Sequence, residues 1–125
     1  MYPVLWVALG GALGSAGRYG VNLAADRLVA RGLPWATFTV NVLGSLLIGI
    51  VAATIMRKMP EASNLRFFVA TGVLGGFTTF SAFSLDVLKL VQGGEARTAV
   101  FYVFATVLLS IAAVFAGFWI AAGPT

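Results

Sequence analysis

Residues 35–56 form a run of 22 residues without a single charged side chain. In a helix with a rise of ~1.5 Å per residue, such a run is ~33 Å long and can cross a hydrocarbon core of ~30 Å. Further predominantly apolar stretches lie at 4–30, 67–91 and 98–122. The pattern predicts a single all-α integral membrane domain over 1–125, with four transmembrane helices and no separate soluble part.

The composition agrees with a lipid bilayer as the environment of this chain. Charged residues make up 10% of the sequence, against about 25% in soluble domains, so there is too little polar surface to cover a globule in water. The net charge of +4 is concentrated at the predicted helix ends, which is typical of membrane anchoring and argues against nucleic acid as a partner. The first stretch lacks a basic segment before it, so we interpret it as a retained helix and not as a signal peptide.

The basic residues give only a weak prediction of orientation. With four spans, three cationic residues lie on one side and four on the other: Arg57, Lys58 and Arg66 against Arg27, Arg31, Lys89 and Arg97. A chain with one fixed orientation usually shows a clear asymmetry. Either the count is too small to be informative, or the chain inserts both ways and pairs with an inverted copy of itself.

The first span combines small residues with one deep charge. Gly10, Gly14 and Gly17 form a stripe that allows close packing of a neighbouring helix. Arg18 follows 17 uncharged residues, which places it well past the first interface. It can extend to the far headgroups, but we interpret it as a fixed positive charge that lines a water-filled vestibule and attracts anions.

The residues that proton-coupled transport and catalysis need are missing from the span centres. The chain has no histidine and no cysteine, and its four acidic residues lie in predicted loops or towards helix ends. Thiolate metal sites and disulfides are therefore excluded, and no nucleophile–base pair points to an enzyme. A passive pathway fits this sequence better than a proton-driven one, which normally needs a buried titratable group.

The third span is predicted to be broken near its middle. Gly75 and Gly76, followed shortly by the β-branched Thr78 and Thr79, are poor helix formers in mid-helix. A break at this depth releases backbone carbonyls, which are tolerated only inside protein or beside a cavity and which often coordinate a cation.

Aromatic and polar side chains inside three of the spans are candidates for a polar path, and each group has two interpretations. Phe80 and Phe83 share one helical face, which usually means packing, but the hydroxyl residues interleaved with them favour a polar path. Asn41 either hydrogen-bonds a neighbouring helix or donates to a passing anion. The column on the fourth span at i+4 spacing either joins helices or forms a polar track beside a pore; its residues are Tyr102, Thr106 and Ser110.

Three motifs on consecutive spans resemble the Fluc (CrcB) family of fluoride channels. They are GGALGSAGR in the first span, Thr39-Val40-Asn41 continuing to Gly44 in the second, and GGFTTFSAF in the third. The resemblance covers the whole chain, and the third motif is highly specific in its order and position.

The resemblance implies a dual-topology homodimer of antiparallel subunits with two fluoride pores. It also implies a structural sodium ion (Na+) at the dimer centre, bound by backbone carbonyls that match Gly75 and Thr78 of both subunits. The implied activity is passive export of fluoride across the bacterial plasma (inner) membrane, which lowers cytoplasmic fluoride and protects against its toxicity. The matching pore residues are Asn41, Thr79, Phe80, Ser81, Phe83, Tyr102, Thr106 and Ser110, and Arg18 matches a vestibule arginine.

Two rival functions remain open at this point. A small multidrug-type exporter with dual topology has a similar size, but such proteins carry a glutamate in the first helix, where this chain has Arg18. A non-transporting scaffold subunit would explain the glycine stripe, but it leaves the polar column and the cluster around Phe80 and Phe83 without a role.

Overall fold

The computed structural model describes residues 2–28 and 33–123 of the chain. All regular structure in these two ranges is helical, and we number the helices in chain order. Helix α3 consists of three consecutive stretches without a gap, namely Ser63–Arg66, Phe67–Leu74 and Gly75–Phe77. The other helices are α1 (Pro3–Leu28), α2 (Trp35–Val51), α4 (Phe80–Gln92) and α5 (Ala96–Ala122).

Three helical runs among the described residues are long and apolar enough to cross a membrane: Trp35–Ile55, Ser63–Gln92 and Ala96–Ala122. The prediction of an all-helical fold with several helices suited to cross a membrane is therefore confirmed. Helix α1 has 26 residues, but it is less apolar, because it contains five glycines and three charged residues. Its passage through the membrane stays a prediction.

The helix bounds differ from the predicted spans at several ends. The third run begins at Ser63 and the fourth at Ala96, a few residues before the apolar stretches, since a membrane helix can continue into the polar headgroup region. The second continues to Arg57 through a π-helical stretch, Ala52–Arg57. The last two residues of the predicted first span and the loop residue Arg31 lie outside the described ranges.

Helices α1 and α3 form a parallel pair with very close backbones. A Cβ atom on Gly10 would collide with the carbonyl oxygen of Phe68, and one on Gly14 would collide with that of Val73. Trp6 also packs edge-on against Phe68, with ring centroids 5.9 Å apart. The predicted glycine stripe thus packs against a helix, as small residues do in membranes.

Helices α2 and α5 form a second parallel pair. Gly49 lies against the carbonyl oxygen of Val114, where a Cβ atom would have no room. Beyond that contact, Lys58 Nζ donates to the Ala121 carbonyl at 3.0 Å. At the opposite end of the pair, the partly buried Phe38 packs against the buried cluster that includes Ala99 and Tyr102. Residue numbers therefore increase in the same direction along both helices.

The third run is broken near its middle, as predicted. Helix α3 ends at Phe77 and α4 begins at Phe80, and the two residues between them are extended, with ψ values of 159° at Thr78 and 126° at Thr79. The two preceding glycines stay helical. A Cβ atom on Gly76 would lie 2.7 Å from the Gly11 carbonyl oxygen, so this glycine serves helix packing, and the break falls on the β-branched residues that disfavour helix.

Candidate functional site

A groove of about 420 Å³ lies where α2, α5 and the two halves of the third run meet at the break. Its walls are uncharged. Polar side chains line part of it and apolar ones the rest: Asn41, Ser45, Thr78, Thr79, Thr106 and Ser110 among the polar, and Ile48, Leu74, Phe80, Phe83, Val107 and Ile111 among the apolar.

Asn41 bridges α2 to the break through two hydrogen bonds with one residue. The Thr79 N–H donates to Asn41 Oδ1 at 2.8 Å, and Asn41 Nδ2 donates to the Thr79 carbonyl at 3.0 Å. This reciprocal pairing fixes which end of the amide is oxygen, because only the oxygen can accept from the main-chain N–H. Bonding to a neighbouring helix, the first interpretation of Asn41, is thus what the structure shows. One N–H of the amide remains for another acceptor, and donation to an anion stays a prediction.

The side chains of two threonines hydrogen-bond main-chain groups at the helix ends on either side of the break. Thr78 donates to the Leu74 carbonyl through both its N–H, at 3.0 Å, and its Oγ1, at 2.9 Å. Thr79 Oγ1 accepts from the Ala82 N–H at 3.1 Å and so caps the N-terminus of α4. The predicted site residue Ser81 lies 3.3 Å from the same hydroxyl and is not part of the groove wall.

The break leaves main-chain carbonyls without helical partners. Within residues 2–28 and 33–123, no hydrogen bond reaches the carbonyl oxygen of Gly75 or of Thr78. The Thr79 N–H, which a continuous helix would direct to Gly75, goes to Asn41 instead. These are the two carbonyls that the family resemblance assigns to a cation, and oxygen ligands of this kind suit Na+.

The two predicted pore aromatics both line the groove but differ in burial. Phe83 is 6% exposed, whereas Phe80 is 77% exposed. Their ring centroids are 5.6 Å apart, and Phe83 in turn lies 5.1 Å from the Tyr102 ring. The chain thus holds one ring firmly and presents the other on its surface.

The predicted hydroxyl column on α5 divides into two parts. Tyr102 lies outside the groove wall and donates to Asp86 Oδ2 of α4 at 3.1 Å, which is the interhelical bond of the first interpretation. The hydroxyl oxygens of Thr106 and Ser110 are buried and have no hydrogen-bond partner among the described residues. Both of these residues line the groove.

Arg18 is not brought to this groove. It is half-buried on α1, and α1 packs mainly against α3, whereas α5 packs mainly against α2. Its role in a vestibule stays a prediction. The structure does place eight of the eleven predicted site residues at the groove, all except Arg18, Ser81 and Tyr102.

Seven further residues line the groove that the sequence analysis did not assign to the site, and two of them, Gly44 and Ser45, contribute to its shape and chemistry. Gly44 leaves room for the Thr78 methyl group, which a Cβ atom at this position would strike. Ser45 follows Asn41 by four residues on α2, and this i+4 spacing, which identified the α5 column, could also have identified it.

The groove offers neutral donors and aromatic edges in an otherwise apolar setting. Phenyl edges carry the positive end of the ring quadrupole and attract anions, and hydroxyls and amides can replace part of a hydration shell. The site is therefore suited to a small anion, next to free carbonyls that are suited to a cation.

Comparison with known proteins gives one consistent result. Residues 5–118 match the family described as CrcB-like protein, Camphor Resistance (CrcB). The chain is 51% identical over 122 residues to the fluoride-specific ion channel FluC of Paracoccus denitrificans (strain Pd 1222), which covers 98% of this chain and 96% of the relative. It is 50% identical over 122 residues to FluC of Hyphomonas neptunium (97% and 96% covered). It is 49% identical over 117 residues to FluC of Allorhizobium ampelinum (94% of each).

Proposed function

Because the chain belongs to the CrcB family, as its three motifs predict, we propose that it is a fluoride channel that lets fluoride leave the cell passively. The relatives are named as ion channels, and channels are not enzymes. In a bacterial plasma (inner) membrane, this activity lowers cytoplasmic fluoride and protects the cell from it.

The observation that carries this proposal is the pair of buried hydroxyls on α5 without partners. Thr106 and Ser110 face an uncharged groove beside two phenylalanine rings. An unpaired polar group in apolar surroundings is costly, and anions that accept hydrogen bonds from these hydroxyls would remove this cost. Neutral donors also bind weakly enough for an ion to leave again, which conduction requires.

The groove favours a passive channel over a small multidrug-type exporter. Coupled exchange of protons and cations needs a titratable carboxylate in the pathway. No acidic side chain lines the groove among the described residues, and the nearby Asp86 is bonded to Tyr102 outside its wall. The chemistry of the walls therefore suits an anion better than a cationic drug.

The carbonyls of Gly75 and Thr78 would hold a structural sodium ion. They are released by the break and accept no hydrogen bond in the described part of the chain. Two oxygens from one chain are too few to surround the ion, so the site needs the same carbonyls from a second copy. The ion would offset the exposed carbonyl dipoles and join the two copies.

An antiparallel homodimer of four-span subunits with two pores completes the proposal. Phe80 is 77% exposed on the isolated chain although it lines the groove, so a second subunit would supply the missing wall. In an inverted pair related by two-fold symmetry, the groove occurs once in each subunit and so twice in the dimer. The nearly equal basic charge on the two sides permits both orientations.

Fluoride efflux from liposomes that contain the purified protein tests the function. We expect passive fluoride flux with little chloride flux, and flux reduced by at least about tenfold in Phe80→Ile and Phe83→Ile, because the aromatic edges are lost. Phe101→Ile is the matched control, since Phe101 is an exposed α5 residue outside the groove. Proton-coupled cation exchange, or no flux from well-folded protein, would overturn the proposal.

Labelling of a single cysteine tests the inverted dimer. The chain has no native cysteine, and Tyr2 is 78% exposed near the N-terminus. In cells that express Tyr2→Cys, we expect a membrane-impermeant thiol reagent to label about half of the protein from outside. Complete labelling, or complete protection until the membrane is opened, would show one orientation and contradict the antiparallel arrangement.

A further inference from the structure

Ser45 lies on α2 four residues after Asn41, and it lines the same groove. Residues four apart lie above one another on a helix, about 6 Å apart along its axis. Ser45 therefore occupies the level of the groove next to the one that Asn41 occupies.

The parallel packing of α2 and α5 pairs these levels across the groove. Gly49 lies against Val114. Ser45 lies four residues before Gly49 on α2, and Ser110 lies four residues before Val114 on α5. Asn41 and Thr106 lie a further four residues back on the same two helices. All four lie on the groove wall, so the groove contains two successive levels, each with one polar side chain from α2 and one from α5.

The two levels differ in how much of their hydrogen-bonding capacity is already used. On the first level, the Asn41 oxygen and one of its N–H groups are already hydrogen-bonded to Thr79. On the second level, Ser45 and Ser110 make no hydrogen bond within the described ranges. The Ser84 hydroxyl, by contrast, donates to the Phe80 carbonyl of its own helix at 3.0 Å.

The surroundings of the second level leave few other partners for these hydroxyls. The neighbouring wall residues Ile48, Val107 and Ile111 are apolar. A free donor in such a setting gains most from a ligand that accepts hydrogen bonds. The ligand class is a small, partly dehydrated anion.

We propose that Ser45 and Ser110 form a second anion position in the groove, one helical turn beyond the position at Asn41 and Thr106, and that Ser45 is an anion-contacting residue in its own right. This inference rests on the proposed function, because the anion at both positions is the fluoride that the channel is proposed to conduct. Two positions of moderate strength in series let an ion enter and leave readily, which one tight position would not.

Fluoride efflux from liposomes by Ser45→Ala tests the inference. Loss of one neutral donor is expected to lower the flux about three- to tenfold, with an unchanged thermal unfolding midpoint. Ser15→Ala is the matched control, because it makes the same change on an exposed site of α1 outside the groove, and its flux should equal that of the unaltered protein. Ser45→Cys, with a similar volume and a weak donor, should fall between serine and alanine.

A double variant tests whether Ser45 acts together with Ser110. If both hydroxyls contact one ion, Ser45→Ala combined with Ser110→Ala should lower the flux by less than the product of the two single effects. A flux within twofold of the unaltered protein in Ser45→Ala, or a double effect equal to the product, would overturn the second position. Absence of fluoride flux in the unaltered protein would instead overturn the proposed function, so the two failures can be told apart.

Discussion

The break in the third run and the hydroxyl column on α5 face the same groove, but they treat their polar groups in opposite ways. At the break, the main chain of Thr79 is paired with Asn41 in both directions, and its hydroxyl caps α4. On α5, Thr106 and Ser110 keep buried hydroxyls without a protein partner.

The difference separates side chains that build the groove from those available to a ligand. A polar group with all its bonds made inside the protein stabilises one conformation. A buried group without a partner costs free energy unless something else supplies the bond. We therefore expect Asn41 to contribute mainly to the shape of the break, and Thr106 and Ser110 to contribute mainly to binding.

Asn41→Ala should have the largest effect, because it removes the partner of two main-chain groups at the break. We expect the free energy of unfolding to fall by about 2–4 kcal/mol, as each buried group left unpaired costs about 1–3 kcal/mol. Fluoride flux should fall about a hundredfold, since the groove loses its shape. Thermal unfolding in detergent and liposome efflux measure the two effects.

The matched control for Asn41 is Asn22→Ala, on an exposed site of α1. This substitution should change neither the free energy of unfolding nor the fluoride flux. If Asn41→Ala lost flux but kept its full stability, Asn41 would act as a ligand group only, and the contrast between the break and α5 would disappear.

Thr106→Val should have an intermediate effect on fluoride flux. Unlike Asn41→Ala, it should not lower the free energy of unfolding. Valine has nearly the shape of threonine but no hydroxyl, so the substitution removes a buried unpaired group. We expect fluoride flux to fall about tenfold while stability stays the same or rises by up to ~1 kcal/mol. A loss of stability comparable to that of Asn41→Ala would mean that this hydroxyl has a structural partner.

Tyr102→Phe should have the smallest effect on flux and tests the contrast within α5 itself. Tyr102 has the partner that Thr106 lacks, namely Asp86 at 3.1 Å. Removing its hydroxyl should lower the free energy of unfolding by about 0.5–1.5 kcal/mol and the flux by less than about threefold. A greater loss of flux here than in Thr106→Val would reverse the proposed division of roles.

Much of the site could be predicted because helical spacing and residue chemistry are local. The i+4 column on α5 and the aromatic pair at Phe80 and Phe83 follow from periodicity alone, and all but Tyr102 of these residues lie on the groove wall. The same spacing from Asn41 also identifies Ser45. The partners of Asn41 and Tyr102 could not be predicted, because Thr79 and Asp86 lie on another segment of the chain.

The sequence by itself determined that this chain is helical, suited to a membrane and interrupted in its third span, since length, hydropathy and β-branching act along a single segment. Only the tertiary structure decided where the break falls and which polar groups are free. Gly76 lies in the helical part and packs closely against Gly11, and Asn41 is bonded to Thr79 because α2 lies beside the break. Whether a hydroxyl is a brace or a ligand depends on what lies within hydrogen-bonding distance of it, and the packing of one helix on another determines that distance.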